Sequence, residues 1–174
     1  LSKFIVNIIL FCSSLFVGHF IAIKYLPNFI YSQFQSIALS RPDAEVNKLS
    51  ILLAPDQDSR LVVKPNPDFA YVTLFYDLDN GPISVSGQMP DSIYWSLALY
   101  QSNTVNYYVK NDLQYESNQL DISIVLDPDP DAKNEQIISP DSKGFMLIRV
   151  LIADRDSERQ VKIQDMLNAL ILEK

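Results

Sequence analysis

The sequence predicts a mainly β chain with some α: one N-terminal transmembrane helix, then a β-sandwich or barrel-like domain with a C-terminal packing helix. Three observations predict it. Phe4 to Ile23 is an uncharged apolar run of twenty residues between Lys3 and Lys24. Ten prolines against four glycines fall largely between short apolar runs, which punctuates strands rather than helices. Near the C-terminus the apolar spacing changes to that of a helix.

Residues 4–23 suit a bilayer, because twenty helical residues at about 1.5 Å each cover its hydrocarbon core of roughly 30 Å. A cleaved signal peptide is the competing reading. Its apolar core is shorter and ends in a small-x-small site, which Ala22-Ile23-Lys24-Tyr25-Leu26-Pro27 does not offer. A lipoprotein signal fails because Cys12 sits mid-run after bulky Phe11. An uncleaved anchor is expected, and the start at Leu1 suggests a tail that is trimmed. The flanking cations nearly tie, so they set no orientation. Without Lys3 and Lys24, residues 25–174 keep 12 basic against 21 acidic side chains, a formal −9. Anionic cytoplasmic lipid would repel such a domain, so it is expected to face outward. His19 and Cys12 lie inside the span. His19 is read as reaching the headgroups and Cys12 as a small apolar residue, and a single cysteine forms no internal disulfide.

Residues 24–45 read as a juxtamembrane helix and linker, with Pro27 at a helix start and Phe29, Ile30, Phe34, Ile37 and Ala38 at helical spacing. Arg41-Pro42-Asp43 ends it. Residues 46–174 form the β-rich domain, long enough for one proper core. A short apolar strand and a loop are expected over Asn47–Ser59. Phe69–Tyr76, dense in aromatic and β-branched residues, reads as a strand buried on both faces. Asp79-Asn80-Gly81-Pro82 turns the chain. Ile83, Val85 and Gly87 alternate with serines in a half-exposed strand. Tyr94–Tyr100 alternates two faces, one of them carrying Trp95, Leu97 and Leu99. Ser102-Asn103 turns into Val105–Val109. Ile122, Ile124 and Leu126 mark the next strand, before the loop Asp127–Asp131. Phe145–Ile152 is the last strong strand, interrupted by Arg149, which must face solvent or find a carboxylate. An N-cap near Asp156 or Ser157 opens the closing helix, with Val161, Met166, Leu167, Leu170 and Ile171 as its apolar stripe.

Several chemistries are disfavoured. Residues 25–174 contain no His and no Cys, which removes the usual zinc ligands and the Ser-His-Asp and Cys-His systems. There is no Ser-x-x-Lys and no glycine-rich phosphate loop, and the acidic balance argues against nucleic acid. Asp127-Pro-Asp-Pro-Asp131 opens like a calcium loop, but Ala132 and Ile138 stand where that loop needs Gly and Glu. No catalytic, cofactor or metal residue is assigned. A candidate ligand pocket is Asn66, Asp68, Tyr71, Tyr94, Trp95 and Tyr100, since aromatics with a few polar groups suit an organic ligand. The competing reading makes them core and turn residues.

Pro65-Asn66-Pro67-Asp68-Phe69-Ala70-Tyr71, Asp77-Leu78, Gly81-Pro82-Ile83 and Tyr94-Trp95-Ser96-Leu97 together resemble the family called domain of unknown function 1254. Ser139-Pro140, Gly144-Phe145 and Leu147-Ile148-Arg149-Val150 are similar to its closing strand. Phe69 stands where members often carry Thr. The resemblance implies a single-pass bacterial inner-membrane protein facing the periplasm. Long members fuse a second β domain, so it also implies a separately encoded partner that supplies one. No activity follows. The expectation is a membrane-anchored envelope protein whose β domain binds a partner protein. The alternative is a small-molecule-binding module or His-free hydrolase with a pocket near Asp68, Tyr71 and Trp95.

Overall fold

A computed structural model describes residues 2–42, 44–53, 66–152 and 157–174. Its first element is a helix of 37 residues, α1 (Lys3–Leu39), about 56 Å long at 1.5 Å per residue. Ser2 caps it, accepting a hydrogen bond from Phe4 N at 3.3 Å. It is long and apolar enough to cross a membrane, and residues 2–26 are exposed throughout. Pro27 lies inside this helix rather than at the start of a second one. Proline there removes one backbone bond and crowds the preceding turn. Packing of the next turns against the domain holds the helix together across it.

Among the described residues nine strands follow: β1 (Ser50–Leu52), β2 (Phe69–Asp77), β3 (Ile83–Gln88), β4 (Trp95–Gln101), β5 (Asn106–Asn111), β6 (Gln119–Val125), β7 (Glu135–Ile138), β8 (Lys143–Leu151) and β9 (Ile171–Glu173). Between β8 and β9 stands α2 (Ser157–Asn168). One sheet has the order β1-β2-β8-β4-β5 and the other β7-β6-β3-β9. Every pair is antiparallel except β6 with β7.

The inner faces meet in one core. Val72, Leu74, Leu97, Leu99 and Ile148 of the first sheet pack with Ile83, Val85, Ile122 and Ile124 of the second, and α2 adds Ile163 and Leu167. The two central strands β2 and β8 are also covered from outside. Tyr31, Phe34 and Ala38 of α1 pack on Phe75, Phe145 and Leu147, with Phe34 ring centroids 5.3 Å from Phe75 and 5.1 Å from Phe145. Tyr31 donates a hydrogen bond to Gly144 O at 2.9 Å. The first sheet is thus the middle of three layers, and this is why β2 is buried on both faces.

Two strands were not expected, and the closing helix is shorter than its apolar stripe suggested. α2 stops at Asn168, so Leu170 and Ile171 leave it, and Ile171–Glu173 pairs with Ser84–Ser86. Gly87 permits this. Its φ is +153°, and a Cβ there would meet Leu170 Cδ2 at 2.7 Å. β7 is four residues long with mixed burial, too short for alternation to reveal. The expected N-cap residue Asp156 and the loop at 54–59 lie outside the described residues. Asp129 Oδ1 accepts from Asp131 N at 3.0 Å, so this carboxylate shapes its own turn in the 127–131 loop.

Candidate functional site

The six residues of the candidate pocket do not share one place. Asn66 Oδ1 accepts from Asp68 N at 2.9 Å, and Asn66 N donates to the Tyr71 hydroxyl at 2.9 Å. Tyr94 joins them through Phe69, whose ring it meets edge-on at 6.3 Å. Trp95 points the opposite way. It is 0 % exposed in the inter-sheet core, stacked on Tyr115 at 4.8 Å. Tyr100 lies farther along the outer face, 6.2 Å from Phe145 near α1. Strand alternation separates them: Tyr71, Tyr94 and Tyr100 are on the outer side and Trp95 on the inner.

What the fold does assemble is a polar row across that outer face. The register aligns Tyr71 of β2 with Arg149 of β8, Arg149 with Ser96 of β4, and Ser96 with Asn111 of β5. α1 runs over this face from Gly144, touched by Tyr31, to the gap that Ala38 lines with Thr73. The row lies past its C-terminal end, away from the apolar run. Arg149 is half-buried, and its Nε donates to Ser96 Oγ at 3.3 Å. It makes no ion pair among the described residues. Ser96 is 1 % exposed. Asn111 donates its backbone N–H to Gln114 Oε1 at 3.0 Å, and its side chain faces the Gln114 backbone N–H in return, a capping box over the short turn that follows β5. Asp112 Oδ1, on the next residue, is buried and unbonded.

Sequence reasoning singled out Arg149 but missed a second polar group, on the inner side of β5. The Tyr76 hydroxyl is hydrogen-bonded to those of Tyr107 at 2.9 Å and Ser139 at 3.0 Å. Glu135 accepts from Tyr108 at 2.7 Å and from Lys110 at 2.9 Å, and Lys110 Nζ lies 4.0 Å above the Tyr115 ring. A bulge brings Tyr107 and Tyr108 to the same side: Leu99 pairs with Tyr108 but Tyr100 with Asn106. Period-two reading of Asn106–Asn111 therefore could not group them.

Burial pushes the Tyr115 hydroxyl up to about 12, with the Glu135 charge adding to the rise, and burial also raises Tyr76, Tyr107 and Tyr108. For Glu135 burial acts upward, but the Lys110 and Tyr108 hydrogen bonds outweigh it and hold the carboxyl below its usual range. A tyrosine raised in the fold stabilises fully below its unfolded value, near 10, and loses that contribution as pH rises through the folded one. Alkaline titration by ultraviolet absorbance is expected to show these four tyrosines and Tyr31, which burial also pushes up to about 12, ionising only as the domain unfolds, five of the nine in all. Nine tyrosines titrating together near 10 would contradict the network. The Glu135 contribution has the opposite sense, present above pH 4.5 and lost as pH falls.

One cavity of about 240 Å³ opens between α2 and the Pro90–Ile93 turn, lined by Arg159, Lys162 and Met166 among others. Among the described residues no group of three or more metal-ligating side chains occurs.

A family model, described as a protein of unknown function (DUF1254), matches residues 46–169. No curated protein matches the chain. The fold is similar to that of the VPA0106 protein from Vibrio parahaemolyticus, with a TM-score of 0.63 and 13 % identity, over 86 % of this chain and 35 % of that one. It is also similar to an uncharacterised protein from Burkholderia cenocepacia, with a TM-score of 0.50 and 15 % identity, over 72 % of this chain and 36 % of that one. The chain therefore spans about a third of the length of these two structures.

Proposed function

The chain belongs to the DUF1254 family, proteins of unknown function, and from that membership we propose that it is a membrane-anchored envelope protein whose β domain binds a partner protein. The span is placed in a bacterial inner membrane and the domain in the periplasm. The formal −9 of residues 25–174 supports that side, and both similar structures come from bacteria.

The uncovered edge of the first sheet carries this reading. Among the described residues β5 pairs only with β4, so its other side is a sheet edge of the kind that strand addition requires. Its six residues exceed the three, four and three of the other edge strands β1, β7 and β9. The apolar side chains along it are open: Val105 is 52 %, Val109 56 % and Leu113 87 % exposed. The occupant is a separately encoded β-domain protein. Both similar structures continue well beyond the part that this fold matches, which gives such a partner a physical precedent within one chain.

The test is full-length protein extracted from its own membranes in mild detergent, with a photo-crosslinker at Val109. One stoichiometric crosslinked protein is expected, and changing Val109 and Leu113 together to Asp is expected to lower its recovery at least about tenfold, as for buried anchors of an interface. A clean monomer without crosslinks, or unchanged recovery from the double variant, would count against the reading.

A further inference from the structure

We propose that α1 pairs in parallel with α1 of a second copy of this chain, along one seam that runs from the apolar span into the part of the helix beyond it. The proposal rests on the reading of α1 as an anchor and not on the partner at β5. Ile5, Ile9, Cys12, Phe16, His19 and Ile23 follow one another at alternating spacings of four and three residues. Leu26, Ile30, Gln33 and Ile37 carry the same spacing on past Lys24 without a break. Such a heptad keeps one line of side chains on one side of a helix along its length. α1 is continuous over all of it, and every member of the line is exposed. The domain docks elsewhere. Tyr31, Phe34 and Ala38 each stand one residue on from Ile30, Gln33 and Ile37, about 100° round the helix. A second helix can therefore lie along the line with the domain in place.

Three observations identify the occupant. Lipid covers the line only within the bilayer. Gln33 and Ile37 stand about 14 and 20 Å beyond Lys24 along the axis, past a headgroup layer of about 5–8 Å. Ile30 and Ile37 are nevertheless 51 % and 56 % exposed. A helix of the same period covers both parts at once. His19 and Gln33 select an identical one. An amide, like a neutral imidazole, both donates and accepts, so each bonds its own counterpart at the same height in a parallel pair. The third observation is fit and size. With Ile9 as position a of the heptad, Ile9, Ile23, Ile30 and Ile37 hold four of the five a positions, and β-branched residues there favour two strands. On the span, Phe11, Cys12, Leu15, Phe16 and His19 line a groove that receives a side chain of a facing helix. The apolar members of the line are 45–64 % exposed. At roughly 100 Å² each they present on the order of 700 Å² per copy, close to the 800 Å² or so per partner of a stable interface.

Cys12 is the only cysteine of the chain and sits on the line, so the native protein carries its own probe. Facing cysteines in such a pair come within reach of a disulfide, with Cα atoms under about 7 Å apart. Full-length protein in its own membranes is oxidised with copper phenanthroline, and the products are identified on a non-reducing gel by mass spectrometry. A disulfide-linked dimer of this chain through Cys12 is expected. In a Cys12→Ser background, Gln33→Cys is expected to form the dimer at least about tenfold faster than Asn28→Cys, which lies on the far side of the helix. Ile30→Asp with Cys12 kept should slow the Cys12 dimer at least about fivefold, and it touches none of the residues that dock on the domain. Equal rates from Gln33→Cys and Asn28→Cys, an unchanged rate in Ile30→Asp, or a crosslink to a different protein would each overturn the proposal. So would the absence of a dimer in membranes that retain the protein through a carbonate wash, an outcome that leaves the anchor standing. Release of the protein by that wash would remove the anchor, and the seam with it.

Discussion

Replacing Gly144 by alanine is expected to be among the most damaging single changes in this chain, at about 3 kcal/mol or more. A Cβ at this position would fall on the Tyr76 hydroxyl and ring carbon and on the backbone oxygen of Tyr100. None of these gives way cheaply. Tyr76 is fully buried and hydrogen-bonded to Tyr107 and Ser139, and the Tyr100 carbonyl belongs to β4, the neighbour of β8 in the sheet. Displacing β8 also disturbs the bond from Tyr31 to the Gly144 carbonyl, so the damage spreads from the inner face to the α1 contact. For a domain of this size the loss corresponds to roughly 10 °C in melting temperature, read by circular dichroism of the detergent-solubilised protein. Adding Tyr76→Phe should restore little of it, because the Tyr100 carbonyl stays in the way. A variant melting within about 2 °C of the parent would show that β8 does not sit this close to its neighbours.

Removing residues 1–40 is expected to abolish folding, whereas removing residues 1–24 leaves a folded domain. The shorter cut takes the exposed apolar run and nothing that packs on the sheets. The longer one strips Tyr31, Phe34 and Ala38 from Phe75 and Phe145 and exposes the outer face of β2 and β8 to water. At about 1.5–3 kcal/mol for each large apolar side chain uncovered, two such layers facing each other approach the 5–15 kcal/mol that typically holds a domain together. Comparing the two truncated proteins by proton NMR dispersion and by denaturant titration decides the matter. A cooperative unfolding transition in residues 41–174 would mean that α1 merely rests on the domain.

Most strands were legible because burial on one or both faces leaves its period in the sequence. Ile83 and Val85 alternate with Ser84 and Ser86, and over these four residues the alternation is the burial pattern of β3. The apolar density of Phe69–Tyr76 announced a strand with both faces covered, although it could not say that α1 does the covering. The candidate pocket was legible only in part. Tyr94, Trp95 and Tyr100 are neighbours in a list of aromatics, but odd and even positions of one strand face opposite ways, so Trp95 lies in the core while the tyrosines do not. Arg149 was visible as a break in an apolar strand. Its neighbours were not, since Tyr71, Ser96 and Asn111 come from three other strands.

By itself, the sequence determined what depends on near neighbours along the chain: an apolar span of bilayer length, the period of the long strands, the turn at Gly81 and the acidic character of the domain. Tertiary structure alone decided what depends on residues far apart. It carried α1 through Pro27, because docking on Phe75 and Phe145 offsets the lost backbone bond. It ended α2 at Asn168, because Gly87 admits Leu170 and pairs the tail with β3. It also set Arg149 beside Ser96 and Asn111, because strand order is fixed by how two sheets share one core, and no local pattern records that order.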